Sequence, residues 1–453
     1  MRYNELVSPG KPAMTRKQIY VIGLNDFNLR KLRSIHDADD YEFHGVIAPE
    51  LLMDTEEFSM KDLIETARNE LRNAKGPVDA LVVYYDFPVS TMWPILCKEF
   101  GLRSTSLESL LKCEHKYWSR VEQKRSIPAH VPGFAAFDPF DQDPAKSIPF
   151  DFPFWVKPIK SSGSRLGFRI TNKTDFDEAV RILRDNIESI ADPFNYVLEQ
   201  AELPPEIAGI DGRYCLAEQI IGGRQCTVEG YVFEGKPKVY GIVDSIRHKN
   251  HVSFLRYQYP SRLPVEVRRR MAGIVNTFVK HVGFNNSCFN AEFFWEPRTD
   301  QLWFLELNTR LAESHCDLFQ KIDGRSNQEI AIDIALGDKP DYPRRLGEFK
   351  VAAKFFHRKF QDARVKRVPT HAEIEGLEAK YPGTSIIPQV KRGMRLSDLP
   401  EQDSYSFALA HIFMGAGSQK RLLSNYRRVR KALGFEYQWI TSEGPQTSFV
   451  RAS

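Results

Sequence analysis

Cysteine is scarce and unpatterned in this chain. Its six cysteines, Cys97, Cys113, Cys215, Cys226, Cys288 and Cys316, form no Cys-x-x-Cys and no paired histidine spacing. That excludes a zinc ribbon or finger and argues for reduced, packed thiols. No apolar run approaches the length that spans a bilayer, and residues 1–18 are polar, with two prolines and no apolar centre. A cytoplasmic protein that needs no membrane is therefore expected. Charge of one sign is missing too. The 63 Lys+Arg against 59 Asp+Glu leave only +4, which forces no general role in binding polyanions or membrane surfaces. There is no Gly-x-x-x-x-Gly-Lys-Ser/Thr loop, and the first strand-like run ends in Gly23 without the Gly-x-Gly-x-x-Gly turn of a dinucleotide site.

What is present is long and varied. At 453 residues and 42% hydrophobic, the chain can bury large interiors and reads as about three domains. From residue 17 to 112, apolar runs at 19–23, 43–47 and 78–85 alternate with amphipathic stretches such as 60–73, the pattern of a parallel α/β unit. Residues 1–16 read as a tail. Between 134 and 153 a shift to Pro, Asp, Phe and Ser predicts a loop, and residues 172–190 read as a helix. A second proline-rich loop is predicted at 203–212. Past residue 340 a further lobe, 341–453, mixes a strand at 350–356 with a basic helix at 424–433.

The most informative segment lies near residue 300. Aromatic and branched residues on both sides of a Pro/Asp turn predict a hairpin. Symmetry about Thr299 would set Glu292 opposite Glu306 and Asn290 opposite Asn308, all on one face of the pleat. Two facing carboxylates repel, and Mg2+, which takes one or two carboxylates with phosphate oxygens and water, would relieve them. A solvated sheet face carrying two aligned acids is the competing reading.

Other segments bear on that choice. Lys157 ends a strand-like run and is followed by Ser161, Ser162, Gly163 and Ser164, small residues whose amides can approach phosphate oxygens. Glu218, Gln219, Ile220 and Ile221 run up to a glycine pair between two strands, a connector that can bond and sandwich an adenine ring. An ordinary turn would look the same. Lys116 opens a helical segment and could reach a phosphate from the opposite side. Arg310 could stabilise charge on a transferring phosphate, or pair on the surface with Glu313 or Asp317. His315 has no Ser-His-Asp companions and reads as packed or solvated.

In this order, Lys116, Lys157 with its small-residue loop, Glu218 to Ile221, Glu292, Glu306, Asn308 and Arg310 resemble the ATP-grasp superfamily. The resemblance covers residues 113–340, and Glu306-Leu307-Asn308-Thr309-Arg310 is similar to the family's Glu-x-Asn-x-Arg signature. It implies a multidomain α/β and α+β fold: a parallel pre-ATP-grasp domain, an ATP-grasp fold of two α+β lobes, and a C-terminal α+β lobe. It further implies ATP with Mg2+, or Mn2+ in its place, as cofactors. Lys116 and Lys157 would hold phosphates, Ser161 to Ser164 would cover them, and Glu218 to Ile221 would form the adenine hinge. Gln225 falls where many members place a ribose-binding glutamate. Glu292, Glu306 and Asn308 would be metal ligands. Residues 197–200 form a second candidate hinge, disfavoured by the prolines that follow.

Members of the family activate a carboxylate as an acyl phosphate and let an amine displace the phosphate. The segment 311–315 resembles the amino-acid ligase branch, so small carboxylates and amines are the expected partners, and a homodimer is the assembly the resemblance suggests. A biotin-carboxylase-like reading competes through the C-terminal lobe, but Ala312-Glu313-Ser314 stands where those enzymes carry Gln-Val-Glu. A non-catalytic nucleotide-binding subunit would be expected to have lost the acids. Arg421, Arg427, Arg428, Arg430 and Lys431 form a basic helix face with no interleaved aromatic beyond Tyr426, which reads as solvated and not as a nucleic-acid surface.

Overall fold

A computed structural model describes residues 16–53, 58–161, 166–248, 253–399 and 406–440. Its N-terminal part is the expected parallel unit. Strands Lys17–Ile22, Tyr41–Val46 and Ala80–Val82 pair in parallel with the first in the middle. Helix Met60–Arg72 packs beside them because Met60, Leu63, Ile64, Ala67 and Leu71 recur at helical spacing and are buried, while the Ser59 hydroxyl accepts from the Asp62 amide to cap its start. The third strand is shorter than the apolar run 78–85, since it pairs only with residues 19–21. Residues 83–86 then leave the sheet at its C-terminal edge.

A four-stranded antiparallel sheet follows, in the order Phe134–Phe137, Cys215–Gln219, Phe154–Pro158, Phe168–Ile170. The loop expected at 134–153 therefore begins with a strand: the apolar Phe134–Phe137 pairs with Cys215–Gln219, and the Pro/Asp character belongs to the residues after it. Helices Lys173–Asn186 and Glu188–Leu198 lie in the chain between strands Phe168–Ile170 and Cys215–Gln219, burying Phe176, Leu183 and Ile187 with Phe154 and Val156. The disfavoured hinge at 197–200 lies at the end of the second of these helices.

An eight-stranded antiparallel sheet holds the rest together. Its order is Gln301–Asn308, Ser287–Glu296, Arg224–Phe233, Lys236–Arg247, Phe254–Tyr259, Val351–Lys359, Phe407–Ala416, Thr384–Pro388. Helix Val265–His281 packs on it through Phe278, Val275 and Met271 against Phe289, Phe293 and Phe304. Strands on both sides of residue 340 share this sheet, so the C-terminal segment extends it instead of standing beside it. The N-terminal sheet joins the same body through Ile330, Ile332 and Ile334 of helix Asn327–Leu336, which share a core with Ile19, Val21 and Val82. All six cysteines are buried, unpaired thiols. No described helix is long and apolar enough to cross a membrane.

Candidate active site

Glu292 and Glu306 are register partners, as are Asn290 and Asn308. The hairpin is less regular than simple symmetry predicts. Phe293 pairs with Phe304 while Glu292 pairs with Glu306, so Leu305 is an extra residue that bulges the second strand. Burial shows the same skip: Leu302, Phe304 and Leu307 face the core, and Phe293 meets Phe304 with ring centroids 5.0 Å apart. Asp300 closes the turn in the left-handed region at φ 56°, which aspartate tolerates better than most residues. The Asn308 Nδ2 donates to Asn290 Oδ1 at 2.9 Å, and Asn290 Nδ2 donates to the Arg310 carbonyl at 3.0 Å. Among the described residues the Asn308 Oδ1 has no hydrogen-bond partner and stays available as an acceptor.

Burial, reinforced by Glu306, raises the Glu292 carboxyl well above its usual range. Gln225 Nε2 donates to Glu292 Oε2 at 2.7 Å, and Arg247 Nε donates to Gln225 Oε1 at 2.6 Å. Gln225, expected at a ribose hydroxyl, bonds Glu292 in this structure. The described residues contain no group of three His, Cys, Asp or Glu ligands. Two carboxylates and an amide oxygen suit a hard cation that draws its other ligands from phosphate and water, so this donor set fits Mg2+.

The smaller sheet supplies cations. Lys157 Nζ lies 2.6 Å from Glu218 Oε2, and Arg120 bonds the other oxygen of the same carboxylate. Burial pushes the Glu218 carboxyl up, but Arg120 and Lys157 outweigh it and hold its pKa at about 2. Arg120 also donates to the Phe304 carbonyl at 3.0 Å, which ties the smaller sheet to the hairpin. Lys116 opens helix Lys116–Ser126, and its Nζ donates to the Ser161 carbonyl at 2.6 Å. Its pKa falls to about 7 through burial, with Lys160 and Lys157 adding to the drop and Glu306 opposing it. Ser162, Gly163 and Ser164 lie outside the described residues.

Gln219 ends its strand with its amide and side chain both bonded to Gly133. Ile220 beyond it is 37% exposed. Among the described residues the backbones of Ile220 and Ile221 form no backbone hydrogen bond outside the strands.

Arg310 is paired, but not with Glu313 or Asp317. Its partner is Asp86, reached across 224 positions: Nε donates to Asp86 Oδ1 at 2.9 Å and Nη2 to Oδ2. Asp317 instead takes Lys31 at 2.6 Å and Lys321. His315 is packed, its Nδ1 2.7 Å from Oε1 of the fully buried Glu229. Sequence reading missed Asp86, Glu114, Arg120, Lys160 and Arg247. Only Asp86 carried a usable signal, its place just past the C-terminal end of a parallel strand.

A small antiparallel sheet bearing lysines and a large one bearing paired carboxylates are the two lobes of an ATP-grasp fold. Residues 150–317 match the family model described as the ATP-grasp domain. No curated protein sequence matches the chain. Among solved structures, an L-amino acid ligase from Bacillus licheniformis is similar at TM-score 0.70 and 16% identity, over 93% of this chain and 99% of that one. A biotin carboxylase from Campylobacter jejuni, in complex with β-γ-ATP, gives 0.63 and 16%, covering 94% and 93%. A phosphoribosylglycinamide synthetase from Anaerococcus prevotii gives 0.62 and 12%, covering 94% and 100%.

Proposed function

We propose that the protein is an ATP-dependent carboxylate–amine ligase. ATP would phosphorylate a substrate carboxylate, and the amine of a second substrate, an amino acid, would attack the acyl carbon and release phosphate, giving an amide, ADP and phosphate. The observation that carries this reading is the convergence of Lys116 and Lys157 with the Glu292–Glu306 pair, Asn308 and Arg310. Phosphoryl transfer asks for positioning and charge neutralisation more than for covalent help, and these residues provide both.

Lys116 and Lys157 bind the triphosphate, Ser161 to Ser164 cover it, and the connector Glu218 to Ile221 receives the adenine. Glu292, Glu306 and Asn308 would hold Mg2+, or Mn2+ with the same oxygen donors, and Gln225 orients Glu292. The bound cation would neutralise charge on the phosphates. Arg310 faces the transferring group. Amide formation is favoured over carboxylation because Ala312-Glu313-Ser314 offers no counterpart to the Gln-Val-Glu of biotin carboxylases.

The test is a phosphate-release screen of paired amino acids and small carboxylates, with product mass read out. Release that depends on both substrates, with an amide product, is expected. Glu306→Gln removes a metal ligand and should abolish turnover, whereas an active variant with normal metal dependence rules out this site.

A further inference from the structure

We infer that Asp86 is the positioning residue of Arg310, so that the N-terminal domain completes the transfer site. This rests on the ligase reading above. Asp86 lies past the C-terminal end of strand Ala80–Val82, the edge at which open parallel sheets present ligand-facing groups. Its two oxygens take Nε and Nη2 of Arg310 in a fork that fixes the plane of the guanidinium, and Nη1 donates to the Leu311 carbonyl at 3.2 Å. Three of the five guanidinium N–H groups are thereby committed and two remain for a phosphate or acyl oxygen. The pair is not sealed: the side chains are 16% and 32% exposed.

An acid in this place needs a reason. Besides Arg310, the cations that act on Asp86 are Lys160 and Lys116, so it sits among groups suited to phosphate, where an idle carboxylate would repel the nucleotide. Pairing with Arg310 offsets that repulsion and aims the guanidinium.

A neighbouring contact supports the same assignment. Glu114 accepts from the Thr309 hydroxyl at 2.6 Å and from the Ser90 hydroxyl at 3.0 Å, and it pairs with Lys160. All four side chains are buried. Thr309 stands between Asn308 and Arg310, so two successive residues of this corner are tied to the N-terminal domain, Arg310 directly through Asp86 and Thr309 through Glu114 and Ser90. In the transfer itself the γ-phosphoryl leaves the β-phosphate oxygen for the substrate carboxylate oxygen, and neither Asp86 nor Arg310 gains or loses a proton or a covalent bond.

The experiment compares Asp86→Asn, Asp86→Glu, Arg310→Lys and the Asp86→Asn/Arg310→Lys double variant in the full chain, by amine-dependent phosphate release. Asp86→Asn is expected to lower kcat on the order of 10- to 100-fold with KM for ATP little changed. Adding Asp86→Asn to Arg310→Lys should cost nothing further, and Asp86→Glu, which keeps the charge and shifts the fork by one methylene, should fall between. Unchanged kcat in both Asp86 variants, or losses that multiply in the double variant, overturn the assignment. So does a raised KM for the carboxylate or amine at full kcat, which would make Asp86 a substrate ligand. If Asp86→Asn does not fold, Asp86→Glu decides, and wild-type kcat in it overturns the inference. Should the unaltered chain show no amine-dependent release, the ligase reading fails separately. The pairing is then read from unfolding midpoints without substrate: shifts that fail to add in the double variant retain it, and additive shifts overturn it.

Discussion

Lys116 shows how burial alters what a single residue can do. With a pKa of about 7 it is largely uncharged at pH 8, unlike an ordinary lysine. An anionic phosphate beside it would restore the charge, so ADP binding without metal at pH 8 should draw close to one proton from buffer. The sign follows: affinity for ADP rises as pH falls toward 7 and levels off below it. Titration calorimetry in two buffers of different ionisation enthalpy measures the uptake, and Lys116→Met should abolish it. Lys116 and Lys157 could be picked out by their places in the sequence, at a helix start and a strand end. Their states could not. The depressed pKa comes from burial, with Lys160 and Lys157 adding to it, and Lys157 meets Glu218 across 61 positions of chain. A still longer separation, 224 positions, hid Asp86 from Arg310.

Among the elements, the connector between the two sheets is the most constrained. Gly223 adopts φ +120°, and a Cβ there would overlap the Trp295 carbonyl and crowd the Glu296 amide. Gly223→Ala should therefore destabilise the protein by about 1–3 kcal/mol, seen as a lower unfolding midpoint. It should also weaken nucleotide binding, because the connector joins strand Cys215–Gln219 to strand Arg224–Phe233. Most elements were legible. The hairpin register followed from the period-two alternation and the Pro/Asp turn, and helix Met60–Arg72 from its apolar spacing. The bulge at Leu305 was not, although the core positions Leu302, Phe304 and Leu307 break the alternation at that point. A one-residue skip in burial has no local signature until the partner strand is known.

At the scale of the whole molecule, sheet continuity governs what can be removed. Strand Val351–Lys359 covers the edge of strand Phe254–Tyr259, and Ala352 sits in one core with Val243, Phe319 and Ile330. A chain ending at residue 340 would expose that edge and open the core, so it should aggregate or fail to fold. Size-exclusion chromatography and soluble yield check this, and a monodisperse, cooperatively unfolding fragment would contradict it. The parallel N-terminal unit was legible from alternating strands and helices. The joining of strand Val351–Lys359 to the large sheet was not, because nothing local in it names a partner nearly a hundred residues earlier.

The sequestered thiols give the native chain a useful silence. Burial raises the thiol pKa of Cys97, Cys113, Cys215, Cys226, Cys288 and Cys316, which leaves almost no thiolate for an alkylating reagent to meet. A cysteine introduced at the exposed Ile220 would accept a fluorophore alone, and labelling of any other position would report unfolding.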